Sequence, residues 1–337
     1  MAFAPSLSVV MPVHNALPWL DAAVESILGQ SFRDFEFVIL DDGSTDGSGD
    51  RLRDWASRDA RIRLVRSEKR LGAAGSSNRV VEHARAPLIA RMDADDIAHP
   101  ERLARQMALM VAEPGVVLVG SLFDVIDADG RMARGADWSR LLRPSPFAPF
   151  CHPTILFRRH AFDKVGGYRA GAQRWEDVDL YLRLSRLGVV AVIPEPLATI
   201  RLSGASSRIR DGEAHFERSM DQMVHCLARW SRGQDYEDLI GEPAPLGGRI
   251  SPAAFVATGS ARLWAGRRAG VLGALLNRGS LQADFSSATV LAWAIWGAVS
   301  PGSLRMALRG ALGARNAAAR RRLRGRPWVA WKTRPGA

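Results

Sequence analysis

Two hydrophobic periods alternate along the first 200 residues. Short apolar runs at Leu7-Ser8-Val9-Val10-Met11, Phe35 to Leu40, Ile62 to Val65 and Pro87 to Met92 predict buried strands. Between them the spacing turns helical. Leu17 to Leu28 sets Leu17, Leu20, Val24, Ile27 and Leu28 on one face, and a second helix carries Leu52 and Trp55 behind a cap at Thr45 or Asp46. A third covers Gly72 to Ala84. Strands alternating with helices predict a mostly parallel sheet covered on both faces. Ligands of such sheets sit beyond the carboxyl ends of the strands. The polar clusters fall there: His14-Asn15, then Asp41-Asp42-Gly43-Ser44, then Asp93-Ala94-Asp95-Asp96.

The next stretch is less regular. Val116 to Val119 and Thr154 to Phe157 predict strands, with a turn at Asp127-Ala128-Asp129-Gly130. Glu176 to Leu187 predicts a helix with Val178, Leu182 and Leu184 on its apolar face, and Val189 to Ile193 and Leu197 to Leu202 predict two closing strands. No internal repeat is visible.

Charge divides the chain. Residues 1–200 hold 25 Lys+Arg and 26 Asp+Glu, and residues 201–337 hold 21 and 9, which together give the net +11. Beyond Glu242 only Asp284 is acidic, against fifteen basic residues. Gly241 to Gly248 has linker composition. The expected organisation is a catalytic domain over 1–225 and a basic, Trp-containing, mainly helical extension over 226–337. Two cysteines, Cys151 and Cys226, make no disulfide framework, and no secretory segment precedes Ser8. The longest largely apolar run, Ala288 to Val299, has 12 residues, short of the roughly 20 that span a bilayer. The expected location is the cytoplasm.

Each polar cluster has a structural and a chemical reading. Asp93 and Asp95, at i and i+2 on a strand-end loop, either cap the following helix or converge on a divalent cation; Asp96 fits the cap. Mg²⁺ or Mn²⁺ takes such oxygen ligands and offsets charge on a departing diphosphate. Asp41-Asp42 is either a turn or a nucleotide-pocket carboxylate pair that accepts from a base imide N–H. Glu176-Asp177 either suits a helix dipole or supplies a general base toward an acceptor hydroxyl. Gly166-Gly167-Tyr168 is either a tight turn or a point of close sugar approach. His14 and His152 lie nearest these loops, with core or surface roles as the alternative. No zinc spacing and no P-loop occur.

As an ordered set, Val9-Val10-Met11-Pro12-Val13-His14-Asn15, Asp41-Asp42-Gly43-Ser44-Thr45-Asp46, Asp93-Ala94-Asp95-Asp96 and Trp175-Glu176-Asp177 resemble the family 2 glycosyltransferases. Leu71-Gly72, Asn78, His152-Pro153-Thr154 and Gly166-Gly167-Tyr168 fit the same pattern, over roughly residues 6–207. The resemblance implies an α/β GT-A fold with a Rossmann-like mixed sheet, a divalent cation (Mg²⁺ or Mn²⁺), and inversion at the anomeric carbon. It implies nucleotide-sugar contacts at Pro12, His14, Asn15, Asp41, Asp42, Asn78 and Asp93. It puts Asp95, with Asp93, on the metal, and makes Asp177 the catalytic base with Glu176 beside it. In-line displacement needs a base on the acceptor side, opposite the diphosphate, and Asp177 comes from a different loop than Asp93.

This chain departs from the family pattern in places. His14 stands where Tyr is frequent, and an imidazole still stacks on a base. Ile200-Arg201-Leu202-Ser203 stands where many relatives carry Tyr-Arg-x-His, leaving a third protein ligand for the metal open. The processive signature Gln-x-x-Arg-Trp is absent, since Gln173-Arg174-Trp175 has another spacing, so transfer of a single sugar is expected.

The implied partners are a UDP-, GDP- or dTDP-sugar donor and a glycan or lipid-linked acceptor, in polysaccharide, lipopolysaccharide or glycolipid assembly. The acceptor pocket is expected in variable loops such as Gly120 to Phe150. Residues 246–337 carry Trp264, Trp293, Trp296, Trp328 and Trp331, and Leu304 to Arg324 fits a basic helix. Such a segment suits the anionic cytoplasmic membrane face, with an accessory bundle or dimerisation element as the competing reading. Nucleic acid is not an expected partner, since no fold signature accompanies the charge. Two other functions compete: a haloacid-dehalogenase-like phosphatase using Asp93 as nucleophile, and a non-catalytic nucleotide-sugar binder. The first leaves Asp41-Asp42-Gly43-Ser44 unexplained; the intact acids argue against the second.

Overall fold

The computed structural model describes residues 5–131, 150–172, 174–202, 222–223, 226, 229–230, 233–240 and 329–331. Strand β1 (Leu7–Val13) pairs in parallel with β2 (Phe35–Asp41) on one side and with β4 (Leu88–Arg91) on the other, and β2 pairs in parallel with β3 (Ile62–Arg66). The chain therefore builds outward in one direction through β3, then crosses back to the far side of β1. This reversal leaves a crevice between the carboxyl ends of β1 and β4, the place where open α/β sheets bind ligands. All seven residues of β2 are buried, as a strand covered on both faces requires.

Helices α1 (Leu17–Leu28), α2 (Ser48–Arg58) and α3 (Gly72–Glu82) make these crossovers. The buried face of α1 is Leu20, Ala23, Val24 and Ile27, whereas Leu17 is exposed, because the first turn stands at the sheet's open edge. Leu20, Val24 and Ile27 join Leu7, Val9, Met11, Phe37 and Ile39 in the main core.

Beyond β4 the sheet becomes mixed. The order is β3-β2-β1-β4-β7-β6-β8-β5, with β9 also on β8. These are β5 (Ile97–Ala98), β6 (Val116–Asp127), β7 (Leu156–Arg158), β8 (Val189–Leu202) and β9 (Val329–Trp331). β7 runs antiparallel to both β4 and β6, and β6 runs parallel to β8. The ends of β6 and β8 therefore share the carboxyl edge with β1, β2 and β4. Helix α4 (Arg102–Ala112) precedes β6, α5 (Arg159–Lys164) follows β7, and α6 (Glu176–Ser185) precedes β8.

Several elements differ from the sequence pattern. The two closing strands are one, because register shifts at Ser121/Leu122 and Leu122/Asp124 let β8 run on through Pro194 and Pro196. The strand at Val116 continues to Asp127, and residues His152–Thr154 form a 3₁₀ turn ahead of β7. In α6 the buried residues include Asp179 and Arg183, paired at 2.6 Å, while Val178 is half-buried. Val329–Trp331 forms an edge strand antiparallel to β8, although its sequence neighbourhood reads as extension.

The described residues fall into two compact units. The larger runs to Leu202 and includes β9; the smaller holds the described residues between 222 and 240, with a 3₁₀ turn at Glu237–Leu239. In the smaller unit the Gln222 amide donates to the Leu239 carbonyl at 2.8 Å, and Cys226, Trp230 and Tyr236 are buried. Ser203, Gln173, the Gly241 to Gly248 linker, the basic stretch Leu304 to Arg324, and residues 132–149 of the expected acceptor loops lie outside the described residues. Among the described residues no helix is long and apolar enough to cross a membrane.

Candidate active site

The first two loops of the carboxyl edge are tied to each other. His14 Nδ1–H donates to the Asp42 carbonyl at 2.9 Å. Asn15 takes a left-handed φ of 54°, its N–H donates to Ser44 Oγ at 3.1 Å, and its Oδ1 accepts the Thr45 N–H at 2.8 Å. Asp46 accepts the Ser48 N–H at the start of α2 and the Leu17 N–H at the start of α1, at 2.9 and 3.0 Å. It therefore serves two helix ends, one more than the sequence pattern assigns it.

Asp42 is already employed by the backbone. Its Oδ1 accepts the Leu71 N–H at 2.7 Å and its Oδ2 the Gly72 N–H at 3.1 Å, meeting orphan donors at the start of α3. Each carboxylate oxygen keeps a second lone pair, so a base imide N–H remains an admissible partner. Asp41 Oδ1 accepts the Ser44 N–H at 2.9 Å; its Oδ2 is buried, has no hydrogen-bond partner among the described residues, and lies 3.8 Å from Arg66 Nε. Pro12 is half-buried at the end of β1. These five residues thus share one stretch of the edge.

Asn78 is placed elsewhere. Its Nδ2 donates to the Tyr168 carbonyl and its Oδ1 accepts the Tyr168 N–H, both at 2.8 Å. The adjoining Gly167 has φ +68°, and a Cβ there would stand 2.6 Å from Asn78 Oδ1. The side-chain amide clamps a glycine turn to α3, which explains the paired glycines without a sugar.

The acid loop after β4 is anchored from two sides. Asp93 forms an ion pair with Arg91, whose side chain is buried beneath it. From β8, the Arg201 backbone N–H donates to Asp96 Oδ1 at 2.8 Å and Arg201 Nε donates to the Asp95 carbonyl at 3.0 Å. Asp96 therefore ties the loop to β8 and does not cap α4. Burial, then the charge of Asp93, push the Asp95 carboxyl up to about 6; Asp96 is pushed well above the usual carboxylate range by burial and by both neighbours. Two half-buried acids held against their own repulsion, Asp93 and Asp95, suit a divalent cation with oxygen preference. Among the described residues no three His, Cys, Asp or Glu side chains converge as a ligand group. Asp93 and Asp95 would then be the protein's share, with waters and donor phosphates supplying the rest, as Mg²⁺ and Mn²⁺ accept.

The antiparallel sense of β7 brings its leading turn to the same edge. The Arg91 N–H donates to the Ile155 carbonyl at 3.0 Å, so His152–Thr154 lies beside the acid loop. His152 Nε2 shares a hydrogen bond of 2.7 Å with the Tyr168 hydroxyl. Burial, then Arg91, hold this imidazole well below its usual range, so it is neutral. Glu176 and Asp177 open α6 behind the buried Trp175 and behind Arg174, which has φ 69°. Burial, then Asp177, push Glu176 up to about 7. Asp177 Oδ1 accepts the Val178 N–H at 2.8 Å. Burial pushes the Tyr168 hydroxyl up; Arg91 opposes this, and Asp177, Glu176 and Asp93 add to it. The charges of acids from the β4 loop and from α6 therefore both act on Tyr168, which is buried and bonded to the half-buried His152.

Four residues here escape the sequence pattern. Arg91 sits inside an apolar run that reads as plain strand. Arg102 Nη2 donates to the Arg91 carbonyl and Gln106 Nε2 to the Thr154 carbonyl, both at 2.6 Å, so one buried turn of α4 supports both site strands. A charged and an amide residue four apart on an otherwise apolar helix face is the available signal. Arg201 is visible only as a neighbour of the missing histidine.

The sequence profile described as "Glycosyl transferase family 2" matches residues 8–166. The chain is 35% identical over 198 residues to the protein EpsE of Bacillus subtilis (strain 168), covering 56% of this chain and 69% of that one. The chain belongs to glycosyl transferase family 2. It is also 30% identical over 189 residues to the O-antigen biosynthesis glycosyltransferase WbnJ of Escherichia coli, covering 53% of this chain and 71% of WbnJ. Among solved structures it resembles the mannosyltransferase PcManGT from Pyrobaculum calidifontis in complex with GDP-Man and Mn²⁺, at 22% identity and TM-score 0.54, over 96% of this chain and 89% of that one. It also resembles residues 1–349 of TarS from S. aureus in complex with UDP-GlcNAc, at 14% identity and TM-score 0.55, over 88% and 82% of the two chains. At these identities the likeness is one of fold, and the mixed sheet is that of the GT-A glycosyltransferases. Membership of this family makes the chain a glycosyltransferase and sets the phosphatase alternative aside.

Proposed function

We propose that this glycosyltransferase moves one sugar, with inversion, from a nucleoside-diphosphate donor to an acceptor hydroxyl in polysaccharide, lipopolysaccharide or glycolipid assembly. The observation that carries this reading is that the β4 loop and the start of α6 bear on one point: Asp93 pairs with Arg91, and the charges of Asp93, Glu176 and Asp177 all act on Tyr168, which is bonded to His152. The roles divide by element. Pro12, His14, Asn15, Asp41 and Asp42 line the nucleoside side. Asp93 and Asp95 hold Mg²⁺ or Mn²⁺, which when bound offsets charge on the leaving diphosphate. Asp177 takes the acceptor proton as the acceptor oxygen attacks the anomeric carbon from the face opposite the diphosphate. Glu176 stands beside Asp177 as the second acid of that turn, and Asn78 positions Tyr168.

The names of similar proteins support the substrates. PcManGT is described with GDP-Man and Mn²⁺, TarS with UDP-GlcNAc, and WbnJ with O-antigen biosynthesis. A domain over 1–225 followed by a basic extension over 226–337 that docks at the cytoplasmic membrane face belongs to the same proposal; the charge asymmetry supports it. Incubation with Mn²⁺ and a panel of UDP-, GDP- and dTDP-sugars tests the reading. Slow hydrolysis of one donor, abolished by Asp95→Ala, is expected. Hydrolysis of phosphomonoesters in its place would overturn it.

A further inference from the structure

Tyr181 poses a question that packing alone does not answer. It lies in α6, one helical turn beyond Asp177, and is fully buried. Its ring packs 5.0 Å from Phe150 and 6.5 Å from His152. Its hydroxyl is buried and has no hydrogen-bond partner among the described residues. A buried hydroxyl left unmet is destabilising, and phenylalanine would fill nearly the same volume without that penalty. Such a group points to a partner that it meets in another state of the protein.

The surroundings indicate which partner. Residues four apart on a helix share a face, and helical side chains lean toward the N-terminal turn. The Tyr181 side chain therefore leans toward the turn bearing Asp177. Burial pushes its hydroxyl well up, and Asp177 is the next contributor, ahead of Tyr168. Asp177 Oδ1 is fixed by the Val178 N–H. Tyr168, the other buried tyrosine here, is committed to His152. Arg91, the remaining charged neighbour, also has an Nε without a hydrogen-bond partner, and a cation there favours a hydroxyl that turns its oxygen inward and its proton toward a carboxylate.

We propose that Tyr181 is a positioning residue for the acceptor-side base. When donor and acceptor are bound, its hydroxyl donates a hydrogen bond to the Asp177 carboxylate and fixes the oxygen that receives the acceptor proton. The inference rests on the reading of Asp177 as base. It adds a specific group, outside the acid pair, on which turnover depends.

The test compares the wild-type chain with Tyr181→Phe and Asp177→Asn. The reaction is release of nucleoside diphosphate from the donor-sugar panel with Mn²⁺, water serving as acceptor. Tyr181→Phe should lower kcat about tenfold, the scale of one hydrogen bond to a charged group, with the donor KM unchanged. Its Tm should hold or rise, since an unmet buried hydroxyl is gone. Wild-type kcat in Tyr181→Phe would overturn the proposal. So would a kcat loss accompanied by a lower Tm and a higher donor KM, which marks a structural hydroxyl satisfied by water. If Asp177→Asn turns over donor like the wild type, or no donor in the panel is hydrolysed, the base reading fails and the Tyr181 proposal fails with it.

Discussion

Asn78 holds the backbone of Tyr168 at both ends of the residue, accepting from its N–H and donating to its carbonyl at 2.8 Å each. The pair joins α3, which follows the nucleoside loops, to the turn that leads into the Glu176–Asp177 helix. Asn78→Ala should remove both bonds and leave two polar backbone groups to find water, costing about 2 kcal/mol or more. Thermal or denaturant unfolding measures this. A donor-contacting asparagine behaves differently: the same substitution raises the donor KM and leaves Tm alone.

Arg201 is the second device that holds the site together. Arg201→Ala keeps the backbone N–H on Asp96 but loses the Nε bond to the Asp95 carbonyl and the Nη1 bond to the Ala128 carbonyl at 3.2 Å. The expected result is weaker Mn²⁺ binding, by about tenfold, with the nucleotide alone still bound. Titration calorimetry with Mn²⁺ and with UDP or GDP separates the two. Unchanged Mn²⁺ affinity would mean that the acid loop keeps its shape without the guanidinium.

Asp95, Asp96 and Glu176 all keep their protons to higher pH in the folded chain than in the unfolded one, with Asp95 at about 6 and Glu176 at about 7. Between about pH 4, where free carboxylates titrate, and pH 7 these three acids make the folded state bind more protons, and His152, held well below its usual range, opposes them as a single group. Stability without metal should fall as pH rises through that window. Glu36 and Asp46 are shifted down, so their contributions are present above about pH 4 and lost only below it, outside the window. Excess Mn²⁺ should flatten the decline by binding only the folded state. A Tm that rises steadily from pH 5 to 7 in chelator would contradict these shifts.

Truncation after Gly241, which also removes β9 from beside β8, tests the basic extension. The shortened chain should leave the membrane fraction and appear in the supernatant on cell fractionation. Full membrane association of the truncated chain would show that residues beyond 241 do not dock it.

The alternation of strand and helix up to β4 was legible because parallel buried strands and their crossovers carry the two hydrophobic periods openly. The acid clusters were legible because they fall at the carboxyl ends that this alternation predicts. The mixed half was harder. β5 has two residues, too few for a period; β7 starts two residues after its apolar run because His152–Thr154 forms a 3₁₀ turn; and β8 runs through two prolines that read as a break. Asp42, Asp96 and Asn78 show a deeper limit. Sequence identifies a polar residue near a site but not whether its partner is a ligand or a backbone amide far along the chain. Arg91 was hidden for the reverse reason, since one charge within an apolar strand looks like an exposed end until the fold buries it.

In the proposed mechanism two loops divide the labour, with donor and cation on the Asp93–Asp95 loop and proton removal on Asp177. Asp177→Asn measures it most directly. Donor binding, followed by calorimetry with Mn²⁺ present, should stay within about threefold of wild type, while single-turnover donor cleavage falls by about 10²-fold or more. Loss of donor binding in Asp177→Asn, or cleavage at the wild-type rate, would rule out Asp177 as the base.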